Sequence, residues 1–309
     1  SKYYEIMNVA LMYFENNLKS QAGDNAIKYL EQRKLNKDII KEFKKNGIDI
    51  YRLDKVTNSY SSNVYIAYSK KEKYVFKILY NEEKQKCEAR YIKYISDKIT
   101  PKLVFSGSIN DKLYNAITFI EGKSYLDGDI ELLSDEQIYK IGILLGKLHN
   151  IKPLDEDDES WINYLYKYAK KSSRNLENVL DDNKIIYDSI INSIESIKGT
   201  YENVILHLDF RVGNIIFGDK EYLIDFESMR SGDPAFDFLK MRRILSKEKF
   251  DIFLEGYKTV KNIDVSIIER INFYNIFDAY TSVNWCYERN KLDSDFCKKS
   301  IKILKKEFK

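Results

Sequence analysis

At 309 residues, with 51 Lys and Arg against 48 Asp and Glu, the chain carries a formal charge of only +3. A balance so even excludes the basic surface of a general nucleic-acid binder, and 44% hydrophobic residues with 12 Gly and 3 Pro exclude a disordered or low-complexity chain. There is no run of about 18 apolar residues, the first residues lack the apolar stretch of a secretory signal, and Cys87, Cys286 and Cys297 form no C-x-x-C pair. The expectation is a globular cytoplasmic protein with no nucleic-acid or membrane partner, no disulfide framework and three buried thiols.

Residues 1–48 have a helical pattern, with Ile6, Ala10, Tyr13 and Phe14, then Ala26, Tyr29 and Leu30 spaced among charges. From Tyr51 the period changes. Val64-Tyr65-Ile66-Ala67-Tyr68 and Tyr74-Val75-Phe76-Lys77-Ile78-Leu79, joined by a polar turn, predict an antiparallel hairpin. A helix is predicted over 82–95, a strand at Lys102-Leu103-Val104-Phe105, a polar break over 107–112 and a strand over 113–119. After Gly122 the pattern is mostly helical, and Ser134-Asp135-Glu136-Gln137 reads as a capping box ahead of Ile138, Ile141, Leu145 and Leu148. A single β island is predicted within this helical region: Val204-Ile205-Leu206, Ile215-Ile216-Phe217, a turn at 218–221, then Tyr222-Leu223-Ile224.

The island holds His207-Leu208-Asp209-Phe210-Arg211-Val212-Gly213-Asn214 and, past its hairpin, Asp225-Phe226-Glu227. Phosphoryl transfer needs a carboxylate to orient and deprotonate the attacking hydroxyl, and an Asp with an Asn to hold Mg2+ on the phosphates. The spacing supplies all three, with Asp209 in a loop after one strand, Asn214 opening the next, and Asp225 ending the strand that folds back beside it. The rival reading of these residues as ordinary turn formers does not account for the strand-loop-strand setting.

The H-x-D-x4-N segment with Asp225-Phe226-Glu227, together with Gly232-Asp233-Pro234-Ala235-Phe236-Asp237, resembles the aminoglycoside phosphotransferase and choline kinase branch of the protein-kinase-like superfamily. Protein kinases have Arg before the catalytic Asp and usually Asp-Phe-Gly, where this chain has Leu208 and Asp225-Phe226-Glu227. The resemblance spans about residues 50–300 and implies an α+β, two-lobed protein-kinase-like fold, with a small antiparallel-sheet N-lobe and a mainly helical C-lobe. Three segments follow: a helical extension at 1–48, a nucleotide-binding lobe with linker at 49–121, and the helical lobe at 122–309 with the catalytic loop and acceptor site. It implies Asp209 as catalytic residue, Asn214 and Asp225 as metal ligands, and His207 and Asp237 as supports of the catalytic loop. His149, at the end of a Leu-His helix terminus, matches the family too. For nucleotide it implies Lys77 on the α and β phosphates, Glu88 pairing with Lys77, backbone at Phe119 and Ile120 toward the purine, and a phosphate loop at 57–63 with Ser59 and Ser61 in place of glycines.

The resemblance further implies ATP or GTP with Mg2+ as co-substrate and a small, amine-bearing acceptor, foremost an aminoglycoside-type antibiotic. A polycation needs convergent carboxylates and aromatic faces, for which Glu227, Asp278, Trp285 and Glu288 are the candidates. A choline, sugar or other metabolite kinase, a coat-type kinase homologue acting on a protein, and a non-catalytic kinase-fold scaffold are the alternatives.

Overall fold

A computed structural model describes residues 34–56, 62–95, 98–154 and 159–308. Two compact units divide it: one holds the described residues up to Gln85 with Leu103–Phe119, the other Lys86–Lys102 and the chain from Ile120 on.

The first unit is a five-stranded antiparallel sheet with a helix laid on it. After helix α1 (residues 34–45) come β1 (Ile50–Lys55), β2 (Asn63–Ser69), β3 (Lys73–Ile78), β4 (Leu103–Ile109) and β5 (Lys112–Thr118), in the order β1-β2-β3-β5-β4. Period-2 alternation sends Tyr65, Ala67, Tyr74, Phe76, Tyr114 and Ala116 to one face, where Ile39 and Phe43 of α1 cover them. Phe43 meets Tyr74, Phe76 and Phe105 at ring-centroid distances of 5.5, 5.8 and 5.0 Å. The described end of the N-terminal helical region therefore shares this core. The polar break expected over 107–112 is shorter than that: β4 runs through to Ile109, and only Asn110 and Asp111 turn, at φ 47° and 59°. Two left-handed residues of these types make the two-residue hairpin that suits strand twist. Gly107 lies within β4 with Tyr114 across it, the Tyr114 hydroxyl oxygen 2.6 Å from where a Cβ would stand, so a side chain there would clash.

Helix α2 (Glu82–Ile95) begins in the first unit and continues in the second. The second unit then runs through β6 (Lys123–Ser124), a short 3-10 turn (Asp127–Leu132), α3 (Asp135–His149), α4 (Trp161–Asn175), α5 (Asn183–Ile197), β7 (Val204–Leu206), β8 (Ile215–Phe217), β9 (Glu221–Leu223), β10 (Arg230–Gly232), α6 (Ala235–Ile244), α7 (Lys247–Lys258), α8 (Ile267–Tyr287) and α9 (Asp295–Glu307). The capping box forms as the spacing predicts: Ser134 Oγ accepts the Gln137 N–H at 3.2 Å and Gln137 Oε1 accepts the Ser134 N–H at 3.0 Å. The single β island does not hold. β8 pairs with β6 on one side and β9 on the other, whereas β7 pairs antiparallel with β10, Leu206 opposite Arg230. The reason is the loop after Leu206, which carries the chain away before β8 begins, leaving the edge of β7 to a strand further on.

The thiols also differ from expectation. Cys286 and Cys297 are buried, but Cys87 is half-buried, its thiol donating to the carbonyls of Phe226 and Met229 at 3.5 and 3.4 Å. Among the described residues no helix is long and apolar enough to cross a membrane.

Helices α3 and α7 pack at their closest through two glycines. A Cβ on Gly142 would stand 2.0 Å from the Phe253 carbonyl oxygen, and one on Gly256 2.0 Å from that of Tyr139. No side-chain rearrangement relieves a clash with backbone, so Gly142→Ala is expected to force the helices apart and to destabilise the protein by about 1–3 kcal/mol. Gly128→Ala, where a Cβ meets nothing within 4 Å, is the control. Thermal unfolding of both checks this, and equal midpoints would refute it.

Candidate active site

Past Leu206 the chain turns abruptly, with Leu208 at a left-handed φ of 62°, a conformation that a non-glycine residue keeps only where its neighbours fix it. Asp237, in the first turn of α6, does so. Its carboxylate accepts the backbone N–H of His207 at 2.6 Å and of Leu208 at 2.9 Å, and His149 Nε2 lies 3.3 Å from it. Burial pushes the His149 pKa down, against the pull of Asp237, so the ring is neutral at pH 7. It donates from Nε2 to Asp237 and accepts at Nδ1 from the Tyr257 hydroxyl, 3.0 Å away. Burial raises the Tyr257 pKa, which keeps that hydroxyl protonated as the donor. His207 donates from Nε2 to the Ile224 carbonyl at 3.0 Å. Both histidines of the chain thus hold this loop.

Asp209 has a different partner set on each oxygen. Oδ2 accepts from Asn214 Nδ2 at 2.8 Å and from Arg211 Nε at 3.1 Å. Oδ1 accepts from Lys240 Nζ, which reaches it from α6. Arg211 is itself clamped, its Nη1 donating to Asp127 Oδ2 at 3.1 Å, while Asp127 Oδ1 accepts the Gly213 N–H at 3.1 Å. Burial works to raise the Asp209 pKa, but Lys240 and Arg211 outweigh it and hold the carboxyl below its ordinary value. At neutral pH Asp209 is a carboxylate.

Asn214 closes the turn Val212–Asn214 ahead of β8, and its Nδ2 also donates to the Asp209 carbonyl at 2.9 Å. With the amide nitrogen so engaged, its carbonyl oxygen is the end that can meet a cation. Asp225 does not end a strand as expected: β9 stops at Leu223, and Asp225 lies two residues on at φ 73°. It is tied to the same place by the backbone, since the Ile224 N–H donates to the Asn214 carbonyl at 3.0 Å. An amide oxygen and a carboxylate on adjoining segments are hard donors of the kind Mg2+ takes, one or two protein oxygens being completed by phosphate and water. Among the described residues no group of three or more His, Cys, Asp or Glu could hold a metal alone.

The acceptor candidates spread out along the second unit. Glu227 is buried, two residues past Asp225. Asp278 on α8 pairs with Arg243 of α6 at 2.5 Å. Glu288, just past α8, pairs with Lys171 at 2.7 Å and accepts from Asn175 at 3.2 Å. Trp285 is 41% exposed, with the Arg289 guanidinium 4.3 Å from its ring centroid. The two carboxylates on or beside α8 thus already face cations of the chain itself.

In the first unit, Lys77 sits on β3 opposite Asn115 of β5 and is 7% exposed, so it is not a surface lysine. Asn115 exchanges hydrogen bonds with Gln85, donating to its carbonyl at 3.2 Å and accepting from Gln85 Nε2 at 3.1 Å. Phe119, just past β5, is tied back by its N–H to the Lys73 carbonyl at 3.1 Å. Ser59 and Ser61 lie outside the described residues. Glu88, on α2 within the second unit, is 1% exposed, and Ile120 opens that unit's main stretch.

The sequence reading missed Lys240, Arg211 and Asp127. Arg211 stands two residues from Asp209, and Lys240 follows Asp237 by three, on one face of a helix, so both had a local signal. Asp127 had none.

A profile of the phosphotransferase enzyme family (APH) matches residues 55–264. Among solved structures, the chain is similar to a spectinomycin phosphotransferase in complex with ADP and spectinomycin (16% identity, TM-score 0.60, covering 88% of this chain and 94% of that one). It is similar also to the macrolide 2'-phosphotransferase MphH from Brachybacterium faecium (11%, 0.65, 87% and 97%), and to the choline kinase LicA from Streptococcus pneumoniae (16%, 0.65, 87% and 99%). At these identities the likeness speaks for the fold, α+β and protein-kinase-like, with an antiparallel-sheet N-terminal region and a helical C-terminal region. No curated protein matches the chain in sequence. The family profile covers more than half of the chain and takes in the whole Asp209 to Asp237 segment, and on that ground the chain belongs to the phosphotransferase enzyme family, as an enzyme that phosphorylates alcohol groups.

Proposed function

We propose that this enzyme is a cytoplasmic small-molecule kinase that moves the γ-phosphoryl of ATP or GTP to a hydroxyl of an amine-bearing acceptor, foremost an aminoglycoside-type antibiotic. The observation that carries the kinase reading is Asp209: a carboxylate kept ionised by Lys240 and Arg211 and steered through Oδ2 by Asn214 and Arg211. The acceptor hydroxyl gives its proton to Asp209 as its oxygen bonds to the γ phosphorus, and the bond from that phosphorus to the β–γ bridging oxygen breaks, the electron pair leaving with ADP or GDP. Asn214 and Asp225 are the residues that would hold Mg2+, which when bound neutralises charge on the phosphate oxygens. Lys77, Glu88, Ser59 and Ser61 serve the nucleotide phosphates, and the backbone at Phe119 and Ile120 the purine. His207 and Asp237 keep the Asp209 loop in place. Glu227, Asp278, Trp285 and Glu288 meet the amines of the acceptor.

A second reading, a sugar or other metabolite acceptor with fewer positive charges, is favoured by one observation: Asp278 and Glu288 already pair with Arg243 and Lys171. ADP and GDP release by the purified enzyme with MgATP or MgGTP, screened against aminoglycosides, choline, ethanolamine and sugars, separates the two. Acceptor-dependent release with an aminoglycoside supports the first reading, and release only with a sugar the second. Nucleotide binding with no release for any acceptor refutes both.

A further inference from the structure

Each oxygen of Asp209 is held, but not by equivalent partners. On Oδ2 both donors are themselves fixed: Arg211 is clamped by Asp127, and Asn214 is bonded a second time to the Asp209 carbonyl. On Oδ1 the partner is the Lys240 ammonium, a compact charge at the end of a flexible four-carbon stem on another element, α6. An ion pair in which each side chain keeps about a third of its surface in solvent, 31% for Lys240 and 30% for Asp209, contributes little to folding. Stability therefore does not explain why a lysine stands there.

Oδ2 already accepts from two donors, whereas Oδ1 accepts from Lys240 and keeps a second lone pair, so the place for an acceptor hydroxyl that donates to Asp209 is on Oδ1, beside Lys240. We infer that Lys240 is a positioning residue for transfer: it fixes Oδ1, the oxygen left to accept from the acceptor hydroxyl, and from beside it offsets the charge on the transferring phosphoryl group. The inference rests on the kinase reading above. It differs from the role of Arg211, which stays on Oδ2 throughout. A cation beside developing charge acts on the transition state more than on the bound substrate, so its removal has a distinct kinetic signature.

The test is steady-state kinetics of wild type, Lys240→Met and Lys240→Arg with the best acceptor from the screen, together with thermal unfolding with and without MgADP. Lys240→Met is expected to lower kcat at least 10-fold, leave the acceptor KM unchanged or lower, and keep both the melting midpoint and its rise with MgADP. Lys240→Arg, which keeps the charge, is expected to recover most of kcat. A kcat for Lys240→Met equal to wild type overturns the inference and leaves the kinase reading intact. So does a rise in KM alone, or equal losses in the Met and Arg variants. Should Lys240→Met not fold, Lys240→Gln under the same assay decides by the same criteria. A wild type that binds MgADP but phosphorylates no acceptor overturns the kinase reading and this inference with it.

Discussion

Asp209→Ala is expected to lower acceptor-dependent kcat by about 10²–10⁴-fold, the usual worth of a positioned proton acceptor, while the dissociation constant for MgADP stays within a few-fold. The asymmetry follows from what Asp209 touches. Its partners are Asn214, Arg211 and Lys240, and no nucleotide role is assigned to it. Asp209→Asn separates two contributions, because an amide keeps a hydrogen-bonding shape but neither accepts a proton nor attracts Lys240 and Arg211. It is expected to be nearly as inactive as the alanine variant. Steady-state kinetics beside calorimetric MgADP titration makes the check, and an Asp209→Ala enzyme with wild-type kcat would remove this residue from the chemistry.

Asp237→Ala is expected to affect stability as strongly as activity. The side chain is 2% exposed and receives two backbone N–H groups, from His207 and Leu208. The buried His207 N–H left without its acceptor costs about 1–3 kcal/mol and the half-buried Leu208 N–H less, so the loss is expected to be about 2–4 kcal/mol, before the neutral His149 loses its own acceptor. With Leu208 no longer pinned at positive φ, Asp209 loses its fixed direction, and kcat falls in whatever fraction still folds. Asp237→Asn keeps an accepting oxygen but turns an NH2 toward one of the two donors, so it is expected to lie between wild type and Ala. Denaturant unfolding of the three proteins tests the order, and an alanine variant as stable as wild type would show that the loop is held by other means.

How legible all this was follows from the range of the interactions. Helix α2 and the capping box of α3 depend on residues within a turn of one another, and local pattern predicted them. β1 was missed because its interior positions are half-exposed or exposed, so Tyr51 to Lys55 show little alternation. β4 was cut short because Gly107 and Ser108 read as the start of a polar break, although Ser106 and Ser108 occupy the solvent-side positions of a true alternation. The loop from His207 to Asn214 was legible as a motif, but its supports are not local: Lys240 reaches Asp209 across 31 residues and Asp127 reaches Arg211 across 84. The separation of β7 from β8 belongs to the same class, since which strand a three-residue segment pairs with is a property of the packed chain.

The pairing of β7 with β10 has a kinetic meaning. It ties residues 204–206 to 230–232, so everything from His207 to Met229, the β8–β9 hairpin included, is a loop stitched shut at its base. Such a segment cannot fray from a free end. To expose the backbone around Asp209, the short ladder at the base or the Asp237 clasp must open, and both belong to the packed interior. Amide hydrogens of His207 and Leu208 are accordingly expected to exchange with solvent only in the rarer, larger openings of the unit, slower than those of exposed loops elsewhere in the chain. The segment that carries Asp209 is thus expected to be among the last of the described backbone to open.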